Sequence, residues 1–121
     1  MPSSSAGNGD AVRDRELVVH SLDGSFHVLT VVSEIDIYSA PAFEAEIAKA
    51  SGADYIIVDL SPSRYVDSSG YHVLWRALKA YRKRLRIVVR PGSTVERVLQ
   101  VLQLHTQTPL FPSLDDARAS L

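Results

Sequence analysis

From Glu16 onward the chain alternates short β-branched, apolar runs with stretches whose apolar positions recur every three or four residues. "ELVVHSL" and "SFHVLTVVS" are the first two runs. Asp23-Gly24, a two-residue hairpin signal, separates them, so residues 16–33 are predicted to form two antiparallel strands. In "EIDIYSAPAFEAEIAKASG", Ser39 is placed to cap a helix whose first turn accepts Pro41. Phe43, Ile47 and Ala50 form its inner stripe, and Gly52 stops it. "YIIVDL" is a continuously apolar strand of the kind buried on both faces. After the loop "SPSRYVD", Tyr71, Leu74, Leu78 and Tyr81 mark an amphipathic helix from Ser69 to about Arg84. "LRIVV" is another buried strand, closed by "RPGS". Ser93 then caps a helix that turns Val95, Val98, Leu99 and Leu102 inward. "PLF" predicts a very short last strand, and "SLDDARASL" a closing helix capped by Ser113 or Asp115.

Strands alternating with helices require a largely parallel sheet, and the opening hairpin makes it mixed. The expected fold is α/β: one small, mostly parallel sheet with an N-terminal hairpin, packed against about four helices. A length of 121 residues suits one domain, and neither an internal repeat nor a linker divides it. "MPSSSAGNGDAVRDR" has nothing to bury, so residues 1–15 are expected to be a disordered tail and residues 16–121 the folded domain.

Net charge is −1, but it is divided unevenly. Residues 1–60 carry three basic and ten acidic side chains, and residues 61–121 carry ten basic and four acidic. Most of the basic excess lies in "RALKAYRKRLRIVVR", which contains no acid. A nucleic-acid patch is one reading. The preferred one is that Arg82, Lys83 and Arg84 finish a helix, where cations suit the negative end of its dipole. No aromatic platform, zinc finger or helix-turn-helix pattern accompanies the charge, so direct nucleic-acid binding is not expected.

The absence of cysteine excludes disulfides, iron–sulfur clusters and thiolate zinc sites. No apolar run reaches the ~20 residues of a membrane helix, and the N-terminus has no signal-peptide core, so a cytoplasmic protein without membrane insertion is expected. Asp10, Asp14, Asp115 and Asp116 are scattered or terminal, and no histidine pair has metal-ligand spacing. The phosphate-binding glycine patterns of common nucleotide sites are missing too. Neither a metal nor a cofactor is expected.

The chemistry concentrates in "RYVDSSGYHVLW". Ser68 or Ser69 as a nucleophile needs an oriented base, yet His20 and His27 fall in strands and are expected to project from the sheet. His72 lies on the helix and His105 after a helix end, and the hydrolase elbow G-x-S-x-G is absent, so no enzymatic activity is expected. Asp67 with the serines makes a helix N-terminus, and capping alone accounts for those residue types. The same site tolerates an anion. A phosphate there would add about −1.5 to −2 charges beside Asp67 and bar a docked partner without unfolding the domain.

Three segments in order carry a resemblance: "SEIDIYSAPAFEAEI", "YIIVDLSPSRYVDSSGYHVLW" and "TVERVLQVLQLHTQTPLFPSLDDA". Together they resemble the STAS domain, and within it the bacterial anti-sigma factor antagonists, over residues 16–121. The resemblance implies that Ser68 is the phosphorylated residue. It implies partner switching in transcription regulation: the unphosphorylated protein binds an anti-sigma factor with serine kinase activity and frees a sigma factor. Phosphorylation of Ser68 by that kinase, using the kinase's own ATP, ends the complex, and a serine phosphatase resets it. The implied partner surface comprises Glu34 and Asp36 with Asp67, Ser69, Gly70 and Tyr71. Gly70 would leave room for a close partner backbone, or simply fit a tight turn. Ser33 stands where the family has glycine, Tyr71 and Trp75 replace smaller aliphatics, and His105 interrupts a Thr-Gly-Leu stretch. Trp75 falls among core positions with Leu74 and Leu78. The rival within this fold is a STAS subunit of a larger assembly, a stress-signalling scaffold or a lipid transporter. The rival outside it is a small hydrolase using Ser68.

Overall fold

The computed structural model describes residues 16–120; the expected tail at residues 1–15 and Leu121 lie outside them. The order is β1 (Val18–Asp23), β2 (Phe26–Val31), α1 (Ala40–Ala48), β3 (Tyr55–Asp59), α2 (Ser68–Tyr81), β4 (Leu85–Val88), α3 (Thr94–Val101), β5 (Leu110–Phe111) and α4 (Leu114–Ala119). Short 3₁₀ turns at Arg82–Arg84 and Leu104–Thr106 follow α2 and α3. The sheet runs β1-β2-β3-β4-β5, with β1 antiparallel and every other pairing parallel. The predicted α/β architecture stands.

Both faces of the central strands are buried. Leu29, Val31, Ile56, Val58, Leu85 and Ile87 face α1, α2 and α3, where Phe43, Ile47, Leu74 and Leu99 complete the main core. Phe26, Val28, Ile57 and Val88 face the other way and are covered by Ala117 and Leu114 of α4. This explains why "YIIVDL" shows no alternation: four of the five residues of β3 are buried.

Local details depart from the sequence reading in four places. The hairpin turn is Gly24-Ser25, with Asp23 still paired to Phe26; Gly24 takes φ +61° and Ser25 does not, the sign pattern of a type II′ turn. Ser39 stands at the N-cap of α1 but its side chain makes no cap bond, because its hydroxyl turns back to accept from the Asp36 N–H. α1 ends at Ala48, short of Gly52, although Ala50 remains buried. α2 ends at Tyr81 rather than Arg84, since Arg82 adopts φ +51°, ψ −123° and leaves the helical path. Arg84 consequently lies outside the helix and donates to the carbonyls of Ser51 and Ala53, both at 2.6 Å. The expected capping by Ser93 and Ser113 is present: each accepts an N–H three residues on, from Glu96 and Asp116, at 3.1 Å.

Candidate functional site

The parallel strands deliver two loops to one end of the sheet, where crevices outside strand carboxyl ends ordinarily hold α/β sites. The loop after β2 carries Glu34 and Asp36, and the loop after β3 carries Asp67. A short parallel bridge joins them: the Ile35 N–H donates to the Tyr65 carbonyl at 2.9 Å, and the Asp67 N–H donates to the Ile35 carbonyl at 3.0 Å. Ser63, buried, adds a hydroxyl bond to the Ser33 carbonyl at 2.9 Å. Ile35 and Val66 are themselves buried, so the bridge is an extension of the core.

Asp67 is the N-cap of α2. Its Oδ1 accepts from the Ser69 N–H at 2.8 Å and the Gly70 N–H at 3.3 Å. The cap is therefore made by the carboxylate, and neither serine hydroxyl is needed for it. Ser68 is the first residue of the helix and is exposed, while Ser69 is half-buried. Across the bridge, Asp36 Oδ1 gathers the N–H groups of Tyr38 and Ser39, both at 2.9 Å. These bonds, the Ser39 N–H foremost, hold its carboxyl below the usual carboxylate range and keep it ionised. Glu34 is exposed beside it.

Gly70 and Tyr71 are placed otherwise than as surface. Gly70 is buried, and the space its missing side chain leaves is filled by Ile35 and Val66 of the same chain. Tyr71 is half-buried; its hydroxyl donates to the Leu102 carbonyl at 3.1 Å and its ring stacks near Trp75 at 6.3 Å. Tyr71 and Trp75 both pack against the main core. Asp36, Asp67, Ser68 and Ser69 are brought to one rim; Gly70 and Tyr71 support it from beneath.

Sequence reasoning missed the apolar part of the rim. Ile37 is 65% exposed, Tyr38 90% and Tyr65 45%. The signal was available: Ile37 and Tyr38 lie inside a turn closed by Asp36 and Ser39, and such a turn has no face to bury. Ile37 also lines, with Ser69, His72, Glu44 and Arg76, a hollow of about 330 Å³ between α1 and α2. Arg76 closes that hollow with a two-pronged pair to Glu44, at 2.7 and 3.0 Å. That pair lowers the Glu44 carboxyl.

The histidines of the hairpin do project from the sheet, but toward α1, where they meet. His20 Nδ1 lies 2.8 Å from His27 Nε2, and His20 Nε2 lies 2.6 Å from Glu46 Oε1. The ring nitrogens and carboxylate are strung in a line and serve each other. Among the described residues, no group of three or more histidine, aspartate or glutamate side chains is arranged to hold a metal ion, and no helix is long and apolar enough to cross a membrane.

Comparison with known proteins places this arrangement. The STAS domain profile matches residues 18–117. Among curated proteins no relative matches. An anti-sigma factor antagonist from Mycobacterium paratuberculosis superposes with a TM-score of 0.78 at 28% identity, over 85% of this chain and 91% of that one. The anti-sigma factor antagonist SpoIIAA in its unphosphorylated form gives 0.65 at 21% identity, over 84% and 92%. A sulfate transporter family protein from Wolinella succinogenes gives 0.65 at 14%, over 82% and 86%. The last two likenesses are of fold. With 18–117 matched, nearly the whole described chain, the protein belongs to the STAS domain family.

Proposed function

We propose that this protein is an anti-sigma factor antagonist whose binding is switched by phosphorylation of Ser68. The single observation that carries the reading is the exposure of Ser68 at the start of α2, with the cap already made by Asp67 and with exposed Ile37 and Tyr38 in the bridged loop. A hydroxyl with no capping duty is open to a kinase, and its modification leaves the helix start intact.

The physics of the switch follows from that geometry. Ser68 Oγ attacks the γ-phosphorus of the kinase's ATP, giving phosphoserine and ADP, with the hydroxyl proton passing to the kinase's base. The product adds about −1.5 to −2 charges at a helix N-terminus, where the dipole favours them, so the domain stays folded. For a partner seated on Ile37 and Tyr38 the effect is opposite. It must desolvate a dianion beside Asp67, and a charge buried without a pair costs more than the contact returns. In this reading the partner is an anti-sigma factor with serine kinase activity, a serine phosphatase reverses the modification, and the protein acts in the cytoplasm by binding, with no catalysis of its own. Likeness to the mycobacterial antagonist at 28% identity supports the partner class.

The test is incubation with candidate anti-sigma kinases and Mg·ATP. A gain of about 80 Da, one phosphate, is expected on the peptide containing Ser68. Ser68→Ala should remain bound to the kinase in ATP, and Ser68→Asp should bind weakly. Both variants binding every candidate as the unmodified protein does would remove the switch while leaving the fold in place.

A further inference from the structure

Three to four helical turns along α2 from Ser68, about 20 Å by helix rise, lies a groove of about 960 Å³. Its floor is apolar: Trp75, Leu78, Leu85, Pro109 and Phe111, with Leu85 only 3% exposed. Its rim is cationic: Lys79, Arg82, Lys83 and Arg86, with no carboxylate among the lining side chains. Among the described residues none of these four cations joins an ion pair.

The rim is held in position. Lys79 Nζ rests 5.3 Å from the Trp75 ring centre. Arg86 lies 5.1 Å from the ring centre of Tyr55 and donates to Ser120 Oγ at 2.9 Å. Arg82 sits past the helix end at φ +51°, a region L residues rarely adopt, so the chain keeps a cation where glycine would relieve the backbone. The basic cluster does stand at the end of α2, with Arg82 as its C-cap, but that is not all it does: Arg84 donates to backbone carbonyls, and Arg82 and Lys83 line the groove.

We propose that this groove binds a single-chain amphiphile with a phosphate head, its hydrocarbon tail on the Trp75–Phe111 floor and its head among Lys79, Arg82, Lys83 and Arg86. Charge complementarity sets the head: several cations without acids match a dianion, and arginine matches phosphate in particular. The recessed floor sets the tail, since burying apolar surface drives its binding. A bilayer surface does not reach into a concave floor. A nucleic-acid backbone makes no use of an apolar one. A protein partner ordinarily engages about 20–30 residues a side, more than this groove supplies, whereas its volume falls in the ~300–1,000 Å³ range of small-molecule sites.

Trp75 is the chain's one tryptophan, so its fluorescence reports on the groove directly. Dodecyl phosphate, titrated into the full chain below its micelle concentration at neutral pH, should change the Trp75 emission saturably, with one site. The Arg82→Glu/Lys83→Glu double variant alters two exposed side chains and should weaken binding roughly tenfold or more while its circular dichroism stays unchanged. Lys79→Glu, also exposed, provides the same test should the double variant lose its fold. Dodecyltrimethylammonium should give no saturable response. No saturation with dodecyl phosphate, equal binding of the cationic amphiphile, or undiminished binding by the charge-reversed variants would overturn the proposal. Binding to phosphatidylglycerol vesicles without binding of the monomeric amphiphile would also overturn it, in favour of a membrane contact.

Discussion

A β-carbon built on Gly70 would stand 2.7 Å from Cγ2 of Ile35 and 2.6 Å from Cγ1 of Val66. The first turn of α2 therefore lies directly on the bridge that joins the two loops, and the close approach is what sets Asp36 and Asp67 on one rim. Gly70→Ala should cost about 1–2 kcal/mol. Overpacking a closed site typically costs ~1–3 kcal/mol, and the better helix propensity of alanine returns up to ~1. Urea denaturation measures the loss. Because the clash is with the bridge, the variant should also weaken partner binding without touching an exposed atom. A variant as stable as the parent would show that Ile35 and Val66 have room to move.

Asp67 offers a separable test of the cap. Asp67→Ala removes the acceptor for two N–H groups and should destabilise the domain by about 1 kcal/mol, the usual worth of an N-cap. Asp67→Asn keeps an acceptor and loses the charge, so most of that stability should be retained. If Asn proves as damaging as Ala, charge and not hydrogen bonding holds the turn. Thermal unfolding of the two variants decides between them.

What the sequence discloses and what it conceals divide by distance along the chain. Asp67 caps amides two and three residues on, and Ser93 an amide three on, so both are legible from local spacing. The order of strands and helices is legible for the same reason. Ser39 misleads because its hydroxyl is drawn back to the backbone N–H of Asp36, three residues earlier, and so caps none of the first amides of α1. The His20–His27–Glu46 line spans 26 residues and exists only once the hairpin register and the placement of α1 are fixed. The Tyr71 bond to Leu102 spans 31 residues and needs α2 and α3 packed together. Arg84 reaches back more than 30 residues to the carbonyls that follow α1, which no charge count anticipates.

The hairpin histidines predict a pH dependence in two steps. Desolvation, then repulsion from His20, holds His27 below its ordinary value of 6.5; Glu46 of α1 meets His20 and is itself paired with Lys49, just past the helix end. A depressed folded-state value means the native state resists the proton. The stability contributed is full above about pH 6.5 and is lost as pH falls through the lower, folded value. Asp36, Glu44 and Glu46 are also depressed, so their contributions persist to lower pH and are lost as pH falls below about 4. Stability should thus be flat above about pH 6.5, fall slightly below it, and fall again in acid. His27→Gln should abolish the first step and leave the second; a first step that survives would assign it to another histidine.

Ile37 and Tyr38 separate binding from folding most cleanly. At 65% and 90% exposure they contribute little to the core, so alanine at either position should leave the free energy of unfolding within about 0.5 kcal/mol of the parent. The Asp36 carboxylate that shapes their turn accepts from backbone N–H groups and is untouched by either change. If the rim is a docking surface, an aromatic and an aliphatic anchor beside Ser68 carry much of the contact, and truncating either should weaken kinase binding by about 1–2 kcal/mol or more, some tenfold in affinity. The two effects are read in different experiments, urea denaturation and calorimetric titration with the kinase. Affinity preserved in both alanine variants would move the partner off this loop, whatever becomes of the phosphate on Ser68.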